Sequence, residues 1–147
     1  MEIEKLNLLG AYSTVFILIT CIIIFILRLL NQKTAEYWAG IAFMITAIPI
    51  IYLFYYSLIF ERPTLYYIQL GLMFGFIIVE LLLDYILKVD FRHTRWIAIS
   101  YVMLFFASTG GMIGIASQAG KSWTIISIIL FFIMFGLAFF QRAKTGL

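Results

Sequence analysis

The chain has 147 residues, of which 65% are apolar or aromatic and only 12% are charged. Soluble proteins have roughly 45–50% apolar and about 25% charged residues, so this composition argues against a soluble globule and for a surface solvated by lipid. The sequence contains ten Lys and Arg residues and seven Asp and Glu residues. The basic residues form no patch interleaved with aromatic or glycine residues, which makes nucleic acid a poor candidate partner.

The sequence shows no cofactor or metal signature. The single cysteine, Cys21, lies inside an apolar run, so no disulfide framework or cysteine redox motif can be identified. The only histidine, His93, stands in a charged stretch without a second ligand at metal spacing. The acidic N-terminus, residues 1–5, differs from the basic start of a secretory signal, so we expect the first apolar run to be a retained transmembrane helix.

Five segments are long and apolar enough to cross a membrane. A bilayer core about 30 Å thick needs roughly 20 apolar residues in a helix. The segments cover approximately residues 8–30, 38–60, 65–87, 96–118 and 123–140. The connections are short, as expected for antiparallel neighbours. The sequence therefore predicts an all-α fold, a polytopic integral membrane bundle of five transmembrane helices that forms a single membrane domain over residues 1–147.

The distribution of basic residues predicts the orientation of this bundle. The N-terminus and the second and fourth loops hold three of them, whereas the first loop, the third loop and the C-terminus hold seven. Cytoplasmic segments carry the excess of Lys and Arg, which predicts an outside N-terminus and an inside C-terminus. We expect a multi-pass protein of a prokaryotic cytoplasmic (inner) membrane. Its expected partners are membrane lipids, with anionic headgroups at the inner face.

The first two spans contain residues that should modify a plain apolar helix. Arg28 lies about one turn from the inner end of the first span, where it could pair with a carboxylate of another helix. In the second span, Pro49 predicts a kink, because its ring removes a backbone donor. Tyr52 follows at depth, and its hydroxyl needs a partner if it points inward. With Gln69 of the third span, it would mark a pocket open to the outside.

The third span carries the two ionisable side chains expected at membrane depth, Glu80 and Asp84. A charge near the centre of a membrane helix costs roughly 2.5–3.5 kcal/mol on insertion scales, so these side chains should face protein or water. They are four residues apart and share a helix face with Gln69, three turns earlier. The complete stripe on this face comprises Tyr66, Gln69, Met73, Phe76, Glu80 and Asp84.

Two interpretations of this acidic pair stay open. In the structural interpretation, Glu80 and Asp84 are paired across helices with Arg28 and with Arg142, which ends the fifth span. In the functional interpretation, repulsion between the two carboxylates favours a Glu80 that takes up and releases a proton. Such a group suits a proton relay, a counter-ion for a cationic ligand, or general acid/base chemistry.

The fourth span also allows two interpretations. Gly110 and Gly114 form a GxxxG pair with Gly111 beside it, and small residues at this spacing let another helix approach closely. Alternatively, Ser108 and Thr109 mark a weak point where a break in the helix would offer backbone groups to a ligand.

Three functions follow from these residues. The leading hypothesis is binding or passage of a small hydrophobic or amphipathic molecule, or of a proton, through a cavity inside the bundle near Glu80. The second is a non-catalytic accessory subunit of a larger membrane complex, or a homo-oligomer, that docks through the small residues of the fourth span. The third is an intramembrane acid/base enzyme using Glu80 and Asp84, which ranks last because no nucleophile or metal set accompanies them.

Overall fold

The computed structural model describes residues 3–87 and 94–145, except for the side chains of Asp84 and Thr145, and all its regular elements are helical. Two consecutive helices form one span, Lys33–Ile59, so that five helical segments are long and apolar enough to cross a membrane. This confirms the all-α class and the number of apolar helices. The helices are α1 (Ile3–Leu29), α2 (Lys33–Ile45), α3 (Ala47–Ile59), α4 (Thr64–Glu80), which continues as a π-helical turn (Leu81–Ile86), α5 (Arg95–Ser117) and α6 (Lys121–Thr145).

Helix α1 is the central element of the bundle. It packs against α2, α3, α5 and α6, while α4 packs against α3 and α5. In the most apolar 18-residue window of each helix, 44% of α1 is buried but only 11% of α6. Most of the α6 surface therefore faces the surroundings of the protein, and α1 supplies much of the core.

Helices α1 and α5 approach each other closely at a glycine and a threonine. The Thr14 hydroxyl lies 2.8 Å from the carbonyl oxygen of Gly10 and 3.0 Å from that of Met112 on α5, so it can donate to either oxygen. A Cβ atom added to Gly10 would lie only 2.8 Å from Cγ2 of Ile115. The absence of a side chain at Gly10 thus allows the two backbones to come together.

The helix interruption that Pro49 predicts is present, and it falls at Thr46, between α2 and α3. Proline lacks the N–H that would continue the hydrogen-bond ladder. The Thr46 hydroxyl donates to the carbonyl oxygen of Phe43 at 2.5 Å, and the Thr46 N–H reaches the same oxygen at 3.1 Å. The last turn of α2 is therefore closed by the residue at the break.

The loop between α3 and α4 is held against the start of α1. The Arg62 guanidinium donates to the Asn7 side-chain oxygen and lies 4.8 Å from the ring centroid of Tyr66. Tyr67 donates from its hydroxyl to the Ser57 carbonyl oxygen at 2.7 Å. These contacts connect three helices at the end of the bundle opposite the cavity described below.

The stripe predicted on the third span faces protein. Its members Tyr66, Met73 and Phe76 are at most 4% exposed. Met73 and Phe76 belong to the main hydrophobic cluster, together with Leu70 of the same helix. Because α4 packs against both α3 and α5, its buried face is wider than the stripe.

We predict that Gly10→Leu destabilises the folded bundle by about 1–3 kcal/mol, because the new side chain overfills the contact between α1 and α5. Gly71→Leu is the matched control, since no atom outside its own helix lies within 4 Å of a Cβ at Gly71. Thermal unfolding in mild detergent, followed by circular dichroism, measures the difference. Equal melting temperatures for the two variants would contradict the close approach of α1 and α5.

Candidate functional site

A cavity of about 100 Å³ lies among α1, α2, α4, α5 and α6. It is situated toward the end of the bundle where α1 finishes, α5 starts and α6 finishes, and where Arg28, Arg95 and Arg142 lie. We call this end the basic end. The cavity is the candidate functional site because it gathers polar side chains from several apolar helices.

The lining of the cavity changes from apolar to polar along its length. On α1, both Cys21 and Arg28 line it, and the seven residues between them correspond to about 10 Å of helix. On α4, both Phe76 and Glu80 line it, and Glu80 lies one turn closer to the basic end. The polar side chains Arg28, Glu80 and Arg142 are thus concentrated toward the basic end, and we call this part of the cavity its mouth.

Aromatic rings form the deeper wall. The ring centroid of Phe76 lies 5.4 Å from that of Tyr101 and 5.3 Å from that of Phe105. Phe25 of α1 meets Phe105 of α5 edge to face, at 5.8 Å and 89°. Such offset and edge-to-face contacts are the preferred arrangements of aromatic pairs. The wall is therefore a connected set of rings from three helices.

Glu80 is bound to a neighbouring helix. The Tyr101 hydroxyl of α5 donates to a carboxylate oxygen of Glu80, which is the last residue of the regular part of α4. Both side chains are partly exposed to the cavity. A hydrogen bond from a phenol compensates part of the cost of placing a carboxylate among apolar helices.

The π-helical turn begins immediately after Glu80. Its Tyr85 hydroxyl donates to the carbonyl oxygen of Tyr37 at 3.2 Å and occupies the space that a Cβ of Gly40 would take. The turn is therefore fastened to α2. Short π-helical segments interrupt α-helices frequently at functional sites. The sequence interpretation treated this segment as a regular helix and missed the turn.

Arg28 has an ion-pair partner on the neighbouring helix α2. Arg28 forms a salt bridge with Glu36, with Nε and Oε1 2.7 Å apart, because the short connection after α1 places the first turn of α2 beside it. Glu36 was not among the partners that the sequence predicted for Arg28, and a pairing of Arg28 with Asp84 lies outside the described side chains. Arg142 is exposed and forms no ion pair with the side chains that the structure describes. The Asp84 side chain lies outside those described, and so does His93.

Gln69 and the glycines of α5 belong to a packing contact, away from the cavity. Gln69 lies over Gly111 and occupies the space next to Gly114, whereas a Cβ added to Gly110 would lie 3.9 Å from Cε2 of Phe131 on α6. The GxxxG pair thus serves two different neighbours, because residues four apart on a helix are not quite aligned. The close contact with α4 uses Gly111 and Gly114, which are three residues apart.

Ser108 and Thr109 do not mark a break in the helix. Helix α5 is continuous from Arg95 to Ser117, and this corrects the expectation of an opened backbone. Both hydroxyls donate to the Phe105 carbonyl oxygen, at 2.9 Å and 2.7 Å. A hydroxyl that donates to a carbonyl oxygen of its own helix already has a hydrogen-bond partner and needs none from a ligand. Neither residue lines the cavity.

Tyr52 also lies away from the cavity, on α3. Its ring centroid is 4.7 Å from that of Tyr56, so its aromatic contact is within its own helix. The structure therefore does not join Tyr52 and Gln69 in a site with Glu80. Of the predicted residues whose side chains the structure describes, Glu80, Arg28 and Arg142 are the ones that meet in one cavity.

Sequence reasoning missed two polar members of the site, Tyr101 and Gln141. Gln141 is only 1% exposed although it lies in the last two turns of α6, next to the exposed Arg142. A glutamine or tyrosine near the end of an apolar helix usually marks the membrane interface. Both side chains point inward because of how α5 and α6 are rotated about their axes, and this rotation is visible only in the tertiary structure.

Comparisons of the chain with models of protein families, with curated proteins and with solved structures find no match. The functional conclusion below consequently rests on the geometry of the cavity.

We predict that Tyr101→Phe lowers the free energy of unfolding by about 1–2 kcal/mol, because it removes a hydrogen bond to a charged group but keeps the ring contacts. The expected loss is at the lower end of the range for hydrogen bonds to charged groups, because the site is partly exposed. Tyr55→Phe, on a side chain 60% exposed, is the control and should have little effect. Chemical unfolding in detergent gives both values, and equal stability of the two variants would show that the bond to Glu80 does not contribute.

Proposed function

We propose that the bundle spans a prokaryotic cytoplasmic membrane with its basic end on the cytoplasmic side. The support is the apolar outer surface, on which large side chains such as Ile48, Leu65 and Phe132 are more than 60% exposed. Exposed apolar surface of this extent is stable in lipid and aggregates in water. The excess of Lys and Arg at the basic end supports the orientation.

A C-terminal fusion tests this orientation. Green fluorescent protein fused after Leu147 should fluoresce in bacterial cells, whereas alkaline phosphatase fused there should be inactive, because phosphatase needs the oxidising periplasm. Fusions in the connection between α3 and α4 are the control and should give the opposite pattern. An active phosphatase at the C-terminus would overturn the proposed orientation.

We propose that this protein binds part of an amphipathic molecule in the cavity beside Glu80. The observation that carries the proposal is the gradient of the lining, from phenylalanine rings at depth to Arg28, Glu80 and Arg142 at the mouth. A molecule with an apolar part and a polar end matches this gradient. A wholly apolar molecule would leave the mouth unused, and a wholly polar one would meet the rings.

The size of the cavity limits what can enter. Its volume of about 100 Å³ is smaller than the approximately 150 Å³ of an engineered cavity that binds benzene, and far below the roughly 300–1,000 Å³ of drug-sized sites. Only a few non-hydrogen atoms fit. The remainder of the molecule has to lie outside the cavity, which is what a membrane amphiphile with one inserted segment does.

The geometry favours binding over passage across the bundle. Beyond the rings, toward the opposite end, the core contains fully buried Leu70, Met73 and Met112. The hydroxyls of Ser108 and Thr109, at this depth, bond to their own helix. A solute or proton leaving Glu80 in that direction would meet apolar side chains among the described residues.

Photo-crosslinking with a long-chain fatty alcohol that carries a diazirine in its chain tests the binding. Mass spectrometry should locate adducts on residues that line the cavity, such as Phe105 and Ala138. Ala138→Leu fills the cavity and should reduce these adducts at least about fivefold. This is the loss of affinity expected when the ligand buries one or two fewer methylene groups. Ala107→Leu, on the exposed side of α5, is the matched control and should leave them unchanged.

Other results would redirect the proposal. Adducts spread evenly over the exposed surface, with no response to Ala138→Leu, would show that the cavity is empty of amphiphile and would overturn the proposed function. Competition by excess unlabelled fatty alcohol should remove the cavity adducts first.

A further inference from the structure

The charged groups at the mouth indicate the chemical class of the molecule. We infer that the polar end of the occupant is an anion, a carboxylate or a phosphate, bound by the guanidinium groups of Arg142 and Arg28. This inference rests on the proposed function and adds the charge of the ligand to it.

Arg142 supplies the first binding group. It lies on the last turns of α6, lines the cavity, and is exposed. Among the residues that the structure describes, it makes no ion pair and no hydrogen bond through its side chain. A guanidinium presents five N–H donors in a planar fork that matches a carboxylate or a phosphate. Its donors are therefore available at the rim.

Arg28 supplies the second group, deeper in the mouth. Its salt bridge to Glu36 uses Nε, so the two terminal nitrogens carry further donors. The side chain is 17% exposed, and its guanidinium carbon lies 5.8 Å from the ring centroid of Phe25. Glu36 thus orients Arg28 at the boundary between the polar mouth and the aromatic wall, and no other described side chain forms a hydrogen bond with its guanidinium.

The charge around the mouth favours an anion over an organic cation. The acidic side chains described at this end are Glu36, which is bound to Arg28, and Glu80, which accepts a hydrogen bond from Tyr101. A cation beside Glu80 would share the cavity with the guanidinium groups of Arg28 and Arg142. The basic side chains described at this end outnumber the acidic ones and comprise Arg28, Lys33, Arg95, Arg142 and Lys144.

An anionic phospholipid of the cytoplasmic leaflet and a free fatty acid share this chemistry. Each has an acyl chain that suits the rings and a negative group at the level of the membrane surface, where one basic residue contributes about 1 kcal/mol to binding. The predicted orientation of the bundle places Arg142 at that level.

The test compares two probes with the same diazirine-bearing chain, a fatty acid and its fatty alcohol, on the full-length protein in phosphatidylcholine nanodiscs. At a pH where the acid is ionised, we expect the acid to give more cavity adducts than the alcohol. Arg142→Gln should lower this acid-to-alcohol ratio about fivefold, the factor expected for one basic residue. Arg142→Lys should retain most of the ratio, because the charge remains.

Lys144→Gln is the matched control, because Lys144 is on the same helix, carries the same charge, and does not line the cavity. Its acid-to-alcohol ratio should stay at the wild-type value. Equal losses in Lys144→Gln and Arg142→Gln would mean a general surface attraction and would overturn the inference. The helix content of each variant, measured by circular dichroism, confirms that the comparison is made on folded protein.

The results separate this inference from the proposed function. Equal cavity labelling by acid and alcohol, both sensitive to Ala138→Leu, would retain amphiphile binding and reject the anion. If the acid labels the cavity more than the alcohol does, phosphatidylglycerol and phosphatidylcholine with the diazirine in an acyl chain show whether the anion is a lipid headgroup or a free acid. Stronger labelling by phosphatidylglycerol indicates a lipid headgroup, and labelling by the fatty acid alone indicates a free acid, so each supports the inference.

Discussion

The contact between α1 and α5 determines the spacing of the whole bundle. At one end, Gly10 and Thr14 let the two backbones approach, and the Thr14 hydroxyl reaches a carbonyl oxygen of α5. At the basic end, the same two helices meet through the rings of Phe25 and Phe105. Small residues form this contact at one end, whereas the rings that form it at the other end also line the cavity. Because α1 also packs against α2, α3 and α6, and α5 packs against α4, this contact affects the position of every other helix.

The polar groups of the site are satisfied by side chains of neighbouring helices. Tyr101 of α5 binds Glu80 of α4, and Glu36 of α2 binds Arg28 of α1. An isolated charge among apolar helices is costly, so each of these contacts lowers the free energy of a group that would otherwise disfavour the fold. The same contacts orient the side chains around the cavity. Stability and the shape of the mouth therefore depend on the same bonds.

The sequence interpretation predicted the polar face of α4 but not all of its neighbours. Glu80 was identified because a carboxylate in a long apolar segment is costly without a partner. Gln69 lies on the same face, yet it packs on Gly114 of α5, and the hydroxyls of Ser108 and Thr109 turn back to their own helix. A polar residue type does not show whether its side chain will bind its own helix, another helix or a ligand. That choice depends on the rotation and separation of the helices.

The sequence by itself determined the helical class, the five apolar helices and the break near Pro49. These properties are local: they follow from runs of apolar residues and from a proline ring that cannot donate a hydrogen bond. The tertiary structure alone decided that Arg28 meets Glu36, that Tyr101 meets Glu80, and that Gln141 and Arg142 share a cavity with them. Apolar helices have similar surfaces all round, so the periodicity of the sequence does not specify which face meets which neighbour. The close packing of side chains between helices decides it.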